Sequence, residues 1–203
     1  SAFHALARAS QPVAVILSDE GVNGLDVHLL NETAVAVAAR LELTALADGH
    51  RPVVSGTRDV EIPPRGHLSF AACDLFGAFF DTTRAYRFGP AAHDLTHARL
   101  VADGAVLAEA FHWPLGRSAT AKRCGLTARV ERTGDDWDLV ISCDEAVTSV
   151  RIVDDAFTAA DGFHMAPGEK RVRLTRRPEA PADAIPEGRV TALDARERAN
   201  YRG

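Results

Sequence analysis

Two histidines, His93 and His97, have the spacing at which a helix can hold a metal ion, because residues four apart share one face of a helix. Residues 94–100 instead alternate between apolar and polar side chains, as a strand does. On a strand, residues four apart are about 13 Å from one another. No Glu stands between the two histidines in the HExxH arrangement. The pattern therefore predicts two polar residues on a strand, and no metal site.

Carboxylates are the second group that could do chemistry here. A glycosidase needs two of them held about 5–10 Å apart across the sugar. The chain has 28 Asp and Glu residues, so a pair at that distance would arise by chance. Asn31-Glu32 superficially matches the Asn-Glu of barrel hydrolases, but it precedes Thr33 in a predicted turn, where Asn is favoured. We interpret Asn31 as a turn residue within a formal glycosylation sequon, and the residues alone identify no catalytic or cofactor-binding residue and no cofactor.

Two tryptophans, Trp113 and Trp137, could each stack against a sugar. Trp137 lies between acidic residues at the start of an apolar run, which favours a half-buried place in a core. For Trp113, packing at a junction between domains is favoured. Aromatic residues make up only 6% of the chain, which argues against a wide stacking surface for sugars or bases.

Composition limits the class of protein. The chain has 203 residues, of which 46% are hydrophobic and 25% charged, so a packed core is expected and wholesale disorder is not. The net charge is −5 with both signs interspersed, so nucleic acid is not an expected partner. No run approaches the roughly 20 apolar residues that cross a bilayer, and the first residues do not form a signal peptide. We therefore expect a cytoplasmic protein with no membrane partner.

The three cysteines are Cys73, Cys124 and Cys143. Their number is odd and none has CxxC spacing, so unpaired thiols in a reducing compartment are the simpler interpretation. Cys73 and Cys143 lie in apolar runs, where Cys behaves as a small core residue.

The elements that must position these residues are predicted to be strands. The first part of the chain offers about seven of them, at the spacing of an immunoglobulin-like sandwich. Asp103-Gly104 between two apolar alternating runs is a strong hairpin signal. Separate strands are predicted around residues 53–54 and 60–62, and a short helix at residues 3–8. No run has a sustained helical period, which excludes a doubly wound fold or a complete α/β barrel.

A polar stretch at residues 114–122 predicts a linker. After it, five strands are predicted, at residues 126–131, 137–143, 147–153, 170–174 and 189–193. Residues 156–165 are expected to form an irregular loop, and the charged tail at 194–203 is expected to fray. The sequence thus predicts an all-β chain of two immunoglobulin-like β-sandwich domains in tandem, at residues 1–115 and 116–200.

Three segments carry a resemblance to a known family. They are VILSDEGVNGLDVHLLNET, YRFGPAAHDLTHARLVADG, and the strand at 150–153 followed by an aromatic loop and Pro167-Gly168-Glu169. Together they resemble the C-terminal immunoglobulin-like β-sandwich domains of β-mannosidase-like enzymes of glycoside hydrolase family 2. Residues 156–165 depart from the Asp-Asn-Tyr/Phe-Phe form that is usual in that loop.

This resemblance implies a role without chemistry in the chain itself. In the family, a (β/α)₈ barrel upstream of the sandwiches carries the acid/base Glu and the nucleophile Glu of a retaining hydrolysis of terminal β-D-mannosides. The barrel would be the partner of this chain, and no catalytic residue carries over. The aromatic residues expected to contact the barrel or a sugar are Phe111, Trp113, Tyr86 and Phe88.

Two other functions are compatible with a pair of sandwiches. A stand-alone carbohydrate-binding module would need an exposed aromatic platform, and the low aromatic content makes it the second choice. A structural or adhesion-type pair would be favoured by export and a disulfide, neither of which the sequence indicates.

Overall fold

The computed structural model describes residues 2–117 and 120–203. By their contacts they form two compact units: Ala9–Gly116, here called the first sandwich, and Arg117–Gly203 with Ser1–Arg8, here called the second sandwich. The predicted all-β fold with two β-sandwiches in tandem is confirmed. The domain boundary between residues 115 and 116 stays a prediction. Residues 118 and 119 of the predicted linker lie outside the described part.

The first sandwich contains seven of the described strands. They are β1 (Val13–Asp19), β2 (Leu25–Asn31), β3 (Val37–Ala47), β4 (Arg51–Ile62), β5 (Gly66–Ala71), β6 (Leu95–Ala102) and β7 (Ala105–His112). A 3₁₀ turn (Gly21–Asn23) joins β1 to β2, and a short helix α2 (Ala72–Phe76) follows β5. One antiparallel sheet has the order β1-β2-β5 and the other the order β4-β3-β6-β7.

The core of the first sandwich follows from the period-two patterns of its strands. On β2 the side chains of Leu25, Val27 and Leu29 are fully buried, while those between them are partly exposed. On β3 the side chains of Leu41 and Leu43 are fully buried and pack in the same cluster. Because alternate residues of a strand face opposite sides, each sheet turns its apolar face to the other, as the sequence predicted.

The second sandwich contains the remaining eight described strands. They are β8 (Thr127–Thr133), β9 (Asp136–Cys143), β10 (Val147–Asp154), β11 (Phe157–Thr158), β12 (Phe163–Met165), β13 (Gly168–Arg176), β14 (Glu187–Thr191) and β15 (Ala199–Arg202). The sheets have the orders β12-β10-β14-β15 and β11-β13-β9-β8. The helix α1 (Ala2–Ala9), predicted at residues 3–8, belongs with this unit, where the Arg8 guanidinium donates hydrogen bonds to the carbonyls of Asp161 and Gly162. None of the described helices is long and apolar enough to span a bilayer.

One strand of the first sandwich is longer than predicted. The sequence suggested separate strands around residues 53–54 and 60–62, but β4 is one strand paired with β3, with a single register shift near Pro52. Gly56 lies in its middle, where a methyl group would stand only 2.0 Å from the carbonyl oxygen of Leu75 in α2. The glycine therefore allows α2 to approach the strand, and it is not the break that its residue type suggests.

Two predictions for the second sandwich are wrong. Residues 156–165 are not an irregular loop throughout, since β11 pairs with β13 and β12 with β10. The tail does not fray, since β15 pairs with β14. Tyr201 on β15 is buried, and its hydroxyl donates a 3.1 Å hydrogen bond to the carboxylate of Asp154. Asp154 also accepts from the backbone N–H groups of Ala156, Phe157 and Glu187, so one buried carboxylate joins four segments.

Replacing Tyr201 by Phe should destabilise the second sandwich. The substitution keeps the ring and removes the hydroxyl. The buried carboxylate of Asp154 then has one donor fewer, and losing a hydrogen bond to a charged acceptor costs about 1.5–3 kcal/mol. Urea unfolding followed by circular dichroism measures the change. The neighbouring Asn200→Ala, at an exposed position of the same strand, should change the unfolding free energy by less than about 0.5 kcal/mol. Equal effects of the two substitutions would contradict the role given to the hydroxyl.

Candidate functional site

The most exposed aromatic side chains of the first sandwich lie in the connection between α2 and β6, residues 77–94. Phe79 is 74% exposed, Tyr86 46% and Phe88 88%. We call residues 79–88 the aromatic loop. Exposed aromatic clusters are uncommon on the surface of isolated soluble proteins and mark surfaces that contact something else.

Polar contacts fix the backbone of the aromatic loop. The carboxylate of Asp81 accepts hydrogen bonds from the N–H groups of Ala85 (2.9 Å) and Tyr86 (3.2 Å). The hydroxyl of Thr83 donates to the carbonyl of Gly21 at 2.6 Å, which ties the loop to the 3₁₀ turn after β1. The loop therefore has a defined shape although its aromatic side chains point outward.

Adjacent aromatic residues of the loop have opposite roles. Phe80 packs on the ring of buried His93, with 5.0 Å between ring centroids. Phe79 instead meets Tyr86 edge to face at 5.7 Å, and the Tyr86 hydroxyl lies 3.5 Å from the carbonyl of Val22. The inward ring anchors the loop, and the outward pair leaves an apolar surface.

Two arginines of the aromatic loop, Arg84 and Arg87, have left-handed backbone conformations, with φ of 56° and 55°. This region is unfavourable for residues with a long side chain, and such strain is held only where surrounding contacts determine it. The Asp81 and Thr83 hydrogen bonds are those contacts here.

The second aromatic group, Phe111 and Trp113, lies at the end of β7. Phe111 stacks on His97 of β6 at 4.4 Å between centroids, and Trp113 stacks on Phe111 at 5.7 Å, both with 15° between ring planes. All three side chains are half-buried. Of the four aromatic residues named from the sequence, the structure brings Phe111 and Trp113 together, pairs Tyr86 with Phe79, and leaves Phe88 extended into solvent.

Sequence reasoning did not identify Phe79. The signal was the Phe79-Phe80 pair between Gly77 and Asp81, where only one of two consecutive rings can turn inward. That pattern alone does not say which ring is exposed.

The two histidines with metal spacing have separate environments. His97 lies on β6, as predicted, and its Nε2 is 3.2 Å from the carboxylate of Glu109. His93 precedes the strand, so the prediction that both lie on it is wrong for His93, which is buried in the loop. Residues 2–117 and 120–203 contain no cluster of three or more His, Cys, Asp or Glu side chains suited to a metal ion.

Asn31 and Trp137 have the structural roles predicted for them. The side chain of Asn31 is fully buried, and its Nδ2 donates to the carbonyls of Val35, Ile62 and Pro63. An amide held in this way cannot carry a glycan in the folded chain. Trp137 is partly buried against the core of the second sandwich, with the Arg132 guanidinium 5.7 Å above its ring.

The cysteines are free thiols, as predicted. Burial raises the pKa of Cys124 to about 11 and that of Cys143 to about 12. Because the thiolate is the reactive form, these two side chains are inert core residues at neutral pH.

Burial also lowers the pKa of two histidines in the first sandwich. For His93, burial outweighs a hydrogen bond with the Thr82 backbone that raises the pKa. For His112, burial outweighs the attraction of the nearby Asp19 carboxylate, 3.3 Å from Nε2. Both rings are therefore neutral at physiological pH.

Comparison with known proteins bears on the fold. The sequence matches no protein-family profile and no curated protein. The exo-chitosanase CsxA of Amycolatopsis orientalis has a similar structure, with a TM-score of 0.68 and 12% identity over 100% of this chain and 28% of that chain. A β-D-mannosidase from Dictyoglomus thermophilum matches with a TM-score of 0.61 and 14% identity, over 88% of this chain and 21% of that one.

These similarities confirm, at the level of the fold, the predicted resemblance to sandwich domains of family 2 glycoside hydrolases. The chain spans less than a third of the solved chains it matches. At identities of 12–14% the likeness shows the fold and not the activity.

The free energy of unfolding should fall in mild acid because of the two buried histidines. Their pKa values lie below 6.5, the ordinary value, so the unfolded chain takes up protons first. Their contribution is full above about pH 6.5 and is lost as the pH falls toward the folded pKa values. Urea unfolding between about pH 7.5 and pH 5 measures the dependence. His93→Gln should flatten it, and the exposed His67→Gln should not; an unchanged slope in His93→Gln would exclude His93 as a source.

Proposed function

We propose that this chain is a non-catalytic accessory part of a β-mannosidase-like retaining glycoside hydrolase, where it packs on a catalytic barrel and stabilises it. The observation that carries the proposal is the match of the whole chain to about a quarter of a larger glycosidase chain. The catalytic acid/base and nucleophile would then lie in the remaining part of the polypeptide.

The sheets are consistent with a supporting role. All the named strands of the described residues pair antiparallel, so this part of the chain has none of the parallel strands of a barrel. Fold alone does not determine function, and sandwiches serve many of them. The specific support is therefore the combination of the fold with the family-like segments around Asn31, Tyr86 and Pro167.

We assign the contact with the barrel to the aromatic loop. Phe79 and Tyr86, with the 70% exposed Val22 beside Tyr86, make an apolar patch, and the 88% exposed Phe88 follows two residues later in the same loop. Aromatic residues are enriched at the centres of protein interfaces, because they bury large areas at low entropic cost. Phe111 and Trp113, half-buried and stacked, are a second candidate for contact with the barrel or the sugar.

The substrate of the parent enzyme is proposed to be a terminal β-D-mannoside. The solved neighbours are, by name, a β-D-mannosidase and an exo-chitosanase also described as an exo-β-D-glucosaminidase. Aryl β-mannosides and aryl β-glucosaminides should therefore both be assayed.

A carbohydrate-binding module is the second candidate function. The observation that favours it is the same set of outward aromatic rings, since flat rings also stack on sugars. In an accessory part of a hydrolase the exposed rings would be buried against the barrel, and in a binding module they would stay exposed and stack on a sugar.

This chain alone should not hydrolyse an aryl β-mannoside, whereas the natural gene product that contains it should. The intact mass of that product is measured first and should be well above 21.7 kDa, the mass of this chain. Release of aryl alcohol is then followed for both. Turnover by this chain alone would contradict the proposal. A natural gene product of the same mass without activity would also contradict it. If mannobiose then induced NMR shifts in that product, the binding module would be favoured.

Phe88→Ser should destabilise the longer protein but not the isolated chain. An 88% exposed side chain makes few contacts within the sandwich, so its loss there should change the unfolding free energy by less than about 0.5 kcal/mol. Against a barrel, the same ring would contribute about 1–3 kcal/mol as an interface anchor. Thermal unfolding of both proteins makes the comparison, with exposed Val35→Ser as the matched control. An equal effect in both settings would show that Phe88 contacts nothing in the longer protein.

A further inference from the structure

Four buried polar atoms of the first sandwich have no hydrogen-bond partner within the described residues. They are Thr82 Oγ1, His93 Nε2, Thr96 Oγ1 and His112 Nδ1. Both threonines are fully buried and His93 is 3% exposed. Buried polar groups in folded proteins are nearly always hydrogen-bonded to protein or to ordered water. Four such atoms at one end of the sandwich are therefore candidates for a shared hydrogen-bond partner.

The four side chains belong to one end of the sandwich. Thr96 of β6 and His112 of β7 are direct cross-strand partners, and both face inward. His93 is hydrogen-bonded to the Thr82 backbone and lies near enough to His112 for the charge of that ring to act on it. Gly24 borders the same place, since a methyl group there would stand 3.4 Å from Thr82 Oγ1.

The protonation of the two rings can be deduced from their other nitrogens. His112 Nε2 lies 3.3 Å from the Asp19 carboxylate, which only accepts, so Nε2 carries the hydrogen and Nδ1 has a lone pair. Burial lowers the pKa of His93, and the bond to the Thr82 backbone raises it, which identifies the ring as the donor in that bond. A neutral His93 that donates through one nitrogen presents a lone pair at Nε2.

Two lone pairs and two hydroxyl donors are the complement of one water molecule. Water donates two hydrogen bonds and accepts two, and interior waters typically make about three. A transition metal also binds imidazole lone pairs, but a structural site takes about four ligands. Across residues 2–117 and 120–203 no third His, Cys, Asp or Glu joins these two rings in a metal-binding cluster.

We propose that Thr82, His93, Thr96 and His112 form the binding site of an internal water molecule that links the aromatic loop to strands β6 and β7. Two of the four side chains come from the connection that carries Tyr86 and Phe88, and two from the sheet. The water would join the buried side chains of the loop to those of the sheet by hydrogen bonds. The site does not depend on what the aromatic loop contacts.

The test on the unaltered chain is by NMR. Water-to-methyl cross-relaxation should show contacts from one long-lived water to the methyl groups of both Thr82 and Thr96. Absence of both cross-peaks would overturn the proposal. Metal analysis before and after chelation covers the alternative: a stoichiometric transition metal whose removal lowers the melting temperature would assign the site to a metal and overturn the water.

The test by substitution uses Thr→Val, which keeps the shape and removes the hydroxyl. With a bound water, Thr82→Val and Thr96→Val should each lower the melting temperature by about 4 °C or more. Without one, removing an unsatisfied hydroxyl should leave it unchanged or raise it, which would overturn the proposal.

The double substitution distinguishes one water bound by both hydroxyls from two hydroxyls that stabilise the fold independently. If one water joins both hydroxyls, Thr82→Val with Thr96→Val should lower the melting temperature by clearly less than the sum of the single effects. Thr148→Val is the matched control, because its hydroxyl is also buried without a described partner but lies in the second sandwich. Combined with Thr96→Val it should be additive. Additivity in both pairs would overturn the shared site.

Discussion

One buried amide holds the two sheets of the first sandwich together. Asn31 ends β2, and its Nδ2 donates to carbonyls at Val35, Ile62 and Pro63, with distances of 2.8, 3.2 and 3.1 Å. Its Oδ1 accepts from Thr33, which closes the turn into the second sheet. Two of the three points at which the chain crosses between sheets, after β2 and after β4, therefore meet at one fully buried side chain. Without it, the carbonyls of Val35, Ile62 and Pro63 would each lose one donor, and Val35 would keep only the Thr33 hydroxyl.

At the end of the sandwich that carries the aromatic loop, side chains again form hydrogen bonds with backbone groups of a connection between strands. Asp81 and Thr83 satisfy backbone groups near the surface, and the buried His93 ring makes a hydrogen bond with the Thr82 backbone. These polar contacts hold the loop backbone, and Phe79, Tyr86 and Phe88 turn their rings outward. Asp81 and Thr83 thus hold the loop backbone, and other residues of the same segment form its exposed apolar surface.

Local patterns predicted the elements that depend on local chemistry. Asp103-Gly104 makes the expected hairpin, with φ of 51° and 76°, the left-handed pair that a two-residue turn requires. The prediction of a frayed tail was wrong because the order of β15 depends on a distant partner. Tyr201 on this short strand contacts Asp154, 47 residues away. The sequence could not distinguish exposed Phe79 from partly buried Phe80, because the packing of Phe80 depends on His93, 13 positions later in the chain.

The outer face of one sheet of the second sandwich differs from the aromatic loop in what its burial would cost. On β8, β9 and β13, Arg171 and Arg173 pair with Asp138, and Arg129 with Glu169. The exposed Arg129–Glu169 pair contributes about 0–1 kcal/mol, while Asp138 is buried beneath the two arginines that pair with it. A partner that covered this face would have to desolvate every one of these charges. Covering an exposed ring such as Phe88 would instead remove apolar surface from water, at about 25 cal/mol per Å², so it would not carry this desolvation cost.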